Sequence, residues 1–185
     1  LVIMNDDKAE EMVGAIGDFY KGALISGDDV IRMKEEIQHV ESYLKIMKLR
    51  YRKKMDYTIN VEKDLMNNVA LKLSLQPIVE NAIIHGIQQK RGTGTIQIYV
   101  YRKEQKVLIE VRDNGIGMTV ENLGKLRKVL SEVSVKDNDN HIGLVNVNKR
   151  IRLRFGDMYG VRIESSEGEY TRVILAIPDS NYYMV

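Results

Sequence analysis

At 185 residues, 44 % of them apolar, the chain can form one domain with an appendage, or two small domains, around a real core. Its 28 Lys and Arg nearly balance 26 Asp and Glu, so no global field favours a polyanion and no nucleic-acid partner is expected. The absence of cysteine excludes disulfides and thiolate metal sites, 3 scattered histidines suggest no zinc cluster, and no apolar run reaches the ~18 residues of a membrane span.

The chain opens at Leu1 and carries no export signal, which reads as a fragment of something longer. Residues 6–24 read as a helix, with Ala9, Met12, Val13, Ile16, Phe19, Tyr20 and Ala23 at helical spacing and Asn5 or Asp6 as cap; Gly14, Gly17 and Gly22 weaken it. A short polar link leads to a second helix over 30–51, whose stripe is Met33, Ile37, Val40, Tyr43 or Leu44, and Met47. The two form an antiparallel hairpin that must dock on another domain or chain to bury its stripes. His39, within the second helix, reads as an ordinary, partly exposed histidine, and the basic run from Lys45 to Lys54 as a solvated helix end. Composition changes near 52–54, which divides a helical segment, 1–53, from a domain over 54–185.

Residues 55–61 alternate as a half-buried strand, and 62–68 read as a polar loop. Ser74 is the expected cap of a helix that runs through His85 and ends at Gly86, with Pro77 in its first turn, where a missing N–H costs little. Pro77, Asn81 and His85 are spaced four apart on a stripe beside the apolar face. The Asn81 oxygen is a hard ligand suited to magnesium, or a structural amide bonded to backbone. His85, one turn on, reaches the same ligand or is a helix-end histidine. Glu80 is a candidate proton acceptor or a structural carboxylate.

Strands over 95–102 and 107–112 form a hairpin that runs into Asp113-Asn114-Gly115-Ile116-Gly117-Met118. Gly115 and Gly117 free the backbone and let a ligand approach it, the Asp113 carboxylate accepts from a donor such as an exocyclic amine, and Met118 adapts to a flat ring. A plain tight turn is the alternative. Thr119 caps a helix with Val120, Leu123, Leu126, Val129 and Leu130, and the polar stretch 131–140 is a candidate lid. A further helix from His141 to Phe155 carries Gly143, whose backbone could face a phosphate or serve close packing, with Asn146 as a further donor. Strands over 161–165 and 170–177 close the domain around Glu167-Gly168-Glu169; Pro178 stops the sheet and the tail frays.

Taken in order, Asn81 on its helix, Asp113-Asn114-Gly115-Ile116-Gly117, and Ile142-Gly143-Leu144 with Asn146 resemble the N, G1 and G2 boxes of the ATP-binding domain shared by histidine kinases, gyrase, Hsp90 and MutL. Leu75-Gln76-Pro77-Ile78-Val79-Glu80-Asn81-Ala82 with His85-Gly86, Tyr43-Leu44-Lys45-Ile46 with Arg50, and Gly143-Leu144-Val145-Asn146-Val147 with Arg150 resemble the LytS/YesM-type sensor histidine kinases more narrowly. The resemblance implies an α/β fold of the Bergerat type, a mixed sheet covered on one face by helices and preceded by the helical hairpin. It implies ATP and magnesium as cofactors, with Asn81 on the metal, Asp113 on the adenine amine, Gly115, Gly117 and Met118 beside the adenine, and Gly143, Leu144 and Asn146 below the phosphates. Thr171 would support Asp113. It also implies transfer of the γ-phosphate to a histidine, a response regulator as partner, a homodimer, and a cytoplasmic position in a bacterial sensor held in the membrane by upstream segments.

The sequence departs from the family at several places. The acceptor motif expected upstream of the first helix is missing, and His39 does not match it, so the acceptor is expected outside the chain. His141 stands at a usual glycine, Ile84 at a frequent lysine, and Tyr170 where a glycine usually precedes the threonine. The rival readings are an ATP-hydrolysing machine of gyrase or Hsp90 kind and a degenerate, non-catalytic interaction module. The first places a water-activating glutamate where this chain has Pro77.

Overall fold

The computed structural model describes residues 10, 12–17, 19–20, 29–131 and 142–181. In chain order the elements after a first helical stretch are β1 (Val30–Arg32), α1 (Met33–Tyr51), β2 (Met55–Val61), β3 (Val69–Leu71), α2 (Gln76–Asn81, continued as a wider π turn over Ala82–Ile87), β4 (Gly94–Lys103), β5 (Lys106–Asp113), α3 (Val120–Ser131), α4 (Ile142–Phe155), β6 (Gly160–Ser166) and β7 (Tyr170–Pro178). A five-stranded sheet in the order β2-β4-β5-β7-β6 has β2 parallel to β4 and every other pair antiparallel.

Strand alternation decides which face is covered. Ile98, Val111, Val173 and Ile163 stand in one row across four strands, all buried, and helix residues such as Ile83, Leu126 and Leu144 pack in the same core cluster. On the other face Gln97, Tyr99, Leu108 and Ile174 are only half-buried. The next inner row reads Ile96, Asp113, Thr171, Ser165. Apolar packing therefore gives way to a polar row at one end of the sheet, and the site lies there.

The helical region is part of the same core. Met33, Ile37, Val40 and Leu44 of α1 are buried in one cluster with the sheet residues. Residues 12–17 and 19–20 are helical, and Phe19 stacks on His39 of α1 with ring centroids 4.7 Å apart. His39 itself is 5 % exposed, not the partly exposed histidine expected.

Several local expectations are corrected. Val30–Arg32 does not begin the second helix but pairs antiparallel with Val69–Leu71, and the Glu35 carboxylate takes the Arg32 N–H at 2.8 Å so that the helix starts at Met33. Ser74 does not cap α2. The N–H groups of Leu73, Ser74 and Leu75 converge instead on the buried Glu36 carboxylate at 2.9, 2.7 and 2.8 Å. Leu73, at φ 56, turns the chain so that these successive donors face one anion, a nest that α1 fills with its own side chain. Burial pushes the Glu36 pKa up, and the donors pull it back. Gly86 does not end α2, which continues to Ile87.

Leu65, 0 % exposed, winds the expected polar loop into a 3-10 turn over Lys63–Asn67. Pro178 belongs to β7, and the described residues after it, 179–181, are tied down; 182–185, the rest of the tail expected to fray, lie outside the described residues. Asn68 donates to the Pro178 carbonyl at 3.1 Å and accepts from Ser180 N–H at 2.7 Å, while Asp179 pairs with Arg102. Val120 is 90 % exposed and takes no part in the apolar face of α3. Of the candidate lid, 131–140, Ser131 ends α3 and the rest lies outside the described residues.

Glu36→Ala is expected to lower the unfolding free energy by about 3 kcal/mol, because it strands buried backbone donors. Urea denaturation measures this, and a loss below about 1 kcal/mol would show that water replaces the carboxylate.

Candidate functional site

A cavity of about 660 Å³ opens between α2, the turn after β5, α3 and the β6–β7 hairpin. That volume suits a nucleotide-sized molecule. Asn81, His85, Asp113, Gly117, Met118, Leu144 and Thr171 all line it.

Asp113 ends β5 on the inner face, 3 % exposed, and Gly115 N–H donates to its Oδ1 at 2.8 Å. Burial raises its pKa from 3.8 to about 6, against the pull of that N–H and the nearby charge of Lys90. The crowding beneath it explains the glycines. A Cβ on Gly86 would sit 2.5 Å from Asp113 Oδ1, and one on Gly115 would sit 2.4 Å from the Gly86 Cα. Gly115 therefore serves the close approach of turn to helix and is not itself on the cavity lining. Gly117, at φ +65, leaves no room for a Cβ, which would lie 2.0 Å from the Ser166 carbonyl oxygen.

Asn114 fastens the turn to β4. Its side-chain oxygen accepts Thr95 N–H at 2.8 Å, and Lys90 Nζ reaches its carbonyl at 2.5 Å. The far side of the turn is fastened to the β6–β7 hairpin, with Met118 N–H donating to Ser165 Oγ at 2.9 Å and Gly168 N–H to the Ile116 carbonyl at 2.6 Å.

Across the cavity, Asn81 is half-buried in α2 and finds no hydrogen-bond partner for its amide among the described residues. No group of three or more His, Asp or Glu side chains among the described residues could hold a metal ion. An ion at Asn81 would thus share a single protein amide with its ligand and with water.

Four expected site residues lie off the lining. Glu80 faces α1: Gln76 Nε2 donates to it at 2.8 Å, and the Gln76 oxygen lies 2.8 Å from His39 Nε2. Gly143 sits close against Pro77, where an added Cβ would be 3.2 Å from the proline Cβ. Asn146 is exposed on α4. Gly115 supports from beneath, as described.

The sequence reading missed Ser165, Glu167 and Gly168, of which the last two line the cavity. The signal was present. A hairpin turning at Glu167-Gly168-Glu169 places Ser165 opposite Thr171, and that is the observed register.

A family model described as histidine kinase-, DNA gyrase B-, and HSP90-like ATPase matches residues 66–181, and one described as histidine kinase matches residues 1–55. The sensor histidine kinase BtsS of Escherichia coli (strain K12) is 32 % identical over 179 residues, 96 % of this chain and 29 % of that protein. The sensor histidine kinase YesM of Bacillus subtilis (strain 168) is 29 % identical over 171 residues, 92 % of this chain and 28 % of that protein. The chain thus spans under a third of the length of these relatives. The histidine kinase domain of the Erythrobacter litoralis EL346 blue-light activated histidine kinase shares the fold at a TM-score of 0.57 and 13 % identity, over 95 % of this chain and 81 % of that one.

Gly117→Ala is expected to cost about 2 kcal/mol of stability, because strain and a backbone clash coincide there. Gly124→Ala, in the exposed middle of α3 with nothing within 4 Å, should instead be neutral or stabilise by up to about 1 kcal/mol. Chemical denaturation of the two variants separates a glycine the site requires from one it does not.

Proposed function

The chain belongs to the histidine kinase-, DNA gyrase B- and HSP90-like ATPase family, among the LytS/YesM-type sensor histidine kinases, and we propose that its cavity holds ATP with the adenine amine on Asp113 and the phosphates toward Asn81 and His85. The observation that carries this reading is the pairing, in one cavity, of a buried acceptor-only carboxylate with an amide that has no partner among the described residues. The carboxylate suits the exocyclic amine, Met118 and Ile116 flank the base, and Ser165 and Thr171 complete the row beside Asp113.

Asn81 fits one position of a magnesium ion that keeps water and phosphate oxygens elsewhere. Bound there, magnesium would neutralise phosphate charge during transfer. The chain's own part is positioning: it fixes the base, keeps apolar side chains such as Ile78 and Leu126 against the cleft, and holds Glu80 on the side facing α1. An acceptor histidine lying upstream of the helical segment would arrive from that side, where Glu80 stands near Tyr43 of α1, which supports Glu80 as its proton acceptor.

The acceptor is a histidine outside this chain, since His39 is buried against Phe19 and its Nε2 is engaged by Gln76. Residues 54–185 would carry the nucleotide, and 1–53 the rest of a dimerisation and acceptor region. Val13, Ile16 and Tyr20, three or four apart on the first helix, are exposed while Phe19 faces α1, which supports pairing with a second copy. A response regulator would receive the phosphoryl group. No helix among the described residues is long and apolar enough to cross a membrane, so attachment to one would come through other segments. Hydrolysis of the gyrase or Hsp90 kind is not supported, because Pro77, in the first turn of α2, offers no base.

Titration with a fluorescent ATP analogue should saturate in the presence of magnesium. Asp113→Ala should abolish binding, whereas Asn81→Ala should remove its magnesium dependence; no binding at millimolar nucleotide would favour a non-catalytic module. Joined to its native upstream segment and given γ-labelled ATP, the domain should label a histidine, and Asn81→Ala should abolish the label.

ATP binding needs the Asp113 carboxylate ionised, and its pKa lies near 6 before ligand binds. Affinity should therefore be level above about pH 7 and fall up to about tenfold per unit below pH 6, as the carboxyl takes its proton. Calorimetric titration across pH tests the sign, and Asp113→Asn should remove the step. The unliganded fold runs the other way, since a raised carboxyl pKa favours it below the ordinary value of 3.8 and that contribution is lost as pH rises through 6.

A further inference from the structure

We propose that Ser165 is a specificity-determining positioning residue: it fixes the Thr171 hydroxyl as a hydrogen-bond acceptor toward the cavity, so that the site takes 6-aminopurine and rejects 6-oxopurine nucleotides. The inference rests on the nucleotide-binding reading above.

The argument is a count of protons. Ser165 Oγ has three partners: the Tyr170 carbonyl at 2.7 Å, Met118 N–H at 2.9 Å and Thr171 Oγ1 at 3.1 Å. A carbonyl only accepts and a backbone N–H only donates. The serine has one proton, and its shortest contact, to the carbonyl, takes it. Its two lone pairs then accept from Met118 N–H and from the Thr171 hydroxyl, which leaves Ser165 saturated and the Thr171 proton committed away from the cavity. Thr171 Oγ1 keeps only lone pairs for a ligand.

Thr171 lines the cavity and stands directly across the strand pair from Asp113. Asp113 is itself an acceptor, with Gly115 N–H on one oxygen. Two neighbouring acceptors therefore face the same edge of the base. The two hydrogens of an adenine amine suit them, and the lone pairs of a 6-oxo group are repelled. A site whose polar groups would be left unmatched discriminates far more strongly than an apolar wall does. Met118 N–H matters too, because with the threonine hydroxyl it fills both lone pairs of the serine, which then takes no donor from the cavity itself.

The test compares ATP with inosine triphosphate, which differs only at the six position and the adjoining ring nitrogen. Wild type, Ser165→Ala, Thr171→Val and the double variant are titrated calorimetrically with each nucleotide and magnesium. In Ser165→Ala the threonine proton is released to the cavity, so the preference for ATP over inosine triphosphate should fall about tenfold, the worth of one hydrogen bond changing sign. Thr171→Val should lower the preference as well, and adding Ser165→Ala to it should change nothing further. Ser165→Thr, which keeps the hydroxyl, should retain the wild-type preference.

Equal losses for both nucleotides in Ser165→Ala would make the serine a structural tie and overturn the proposal. So would an unchanged preference in Thr171→Val, which decides the matter if Ser165→Ala does not fold. If wild type binds both nucleotides equally, the proposal falls and nucleotide binding stands. If wild type binds neither, both readings fall together.

Discussion

A carboxylate sealed at the end of a β-strand is the constraint around which this domain is arranged. Asp113 is buried by the same strand alternation that buries Val111 and Ile109 behind it. An acid in that position resists ionisation, and its pKa near 6 records the cost of desolvation. What keeps it usable is local: the Gly115 N–H on one oxygen and the charge of Lys90 nearby. Those contacts require the turn to fold back against α2, with Gly86 and Gly115 meeting where neither can carry a side chain. Recognition of a donor in the cavity thus depends on packing that has no polar component.

The second anchor is also a buried carboxylate, but it binds backbone. Glu36 reaches from α1 into the nest formed by residues 73–75 and holds the start of α2, the helix that carries Asn81. A second connection runs beside it. Glu80 can only accept, so the Gln76 amide nitrogen faces it and the Gln76 oxygen faces His39, which must then carry its proton on Nε2. The His39 Nδ1 is left buried with no partner among the described residues, under the Phe19 ring. Movement of α1 against α2 has to disturb one of these two connections. Beyond the apolar core they share, these polar connections join the helical segment to the helix that lines the cavity, although no part of α1 lines it.

Much of the site is a matter of short-range chemistry. Asp113 with its glycines, Asn81 on a helix stripe and Thr171 on a late strand are each local patterns, and their order along the chain fits one family. Ser165 was hidden because its importance lies in a partner across a hairpin, although the turn length fixed that register. The lining role expected of Asn146 failed to appear because helical spacing places residues on a stripe but does not say which neighbour the stripe meets.

The amino-acid order by itself settled the strands of the five-stranded sheet and the polar turn, since alternation and glycine placement act over a few residues. It could not settle how helix ends are satisfied. Ser74 is a good local cap, yet its hydroxyl donates to a carboxylate from α1, distant in the chain, which also takes the N–H groups of residues 73–75. Val30 was expected to begin the helix that carries the Met33 stripe and is instead a strand paired with β3. Tyr57, Ile96, Asp113, Thr171 and Ser165 form one row across the sheet only after strands from across the domain have been laid side by side. Periodicity fixes the face a side chain takes on its own strand; its neighbours are fixed by register, and register is a property of the folded chain.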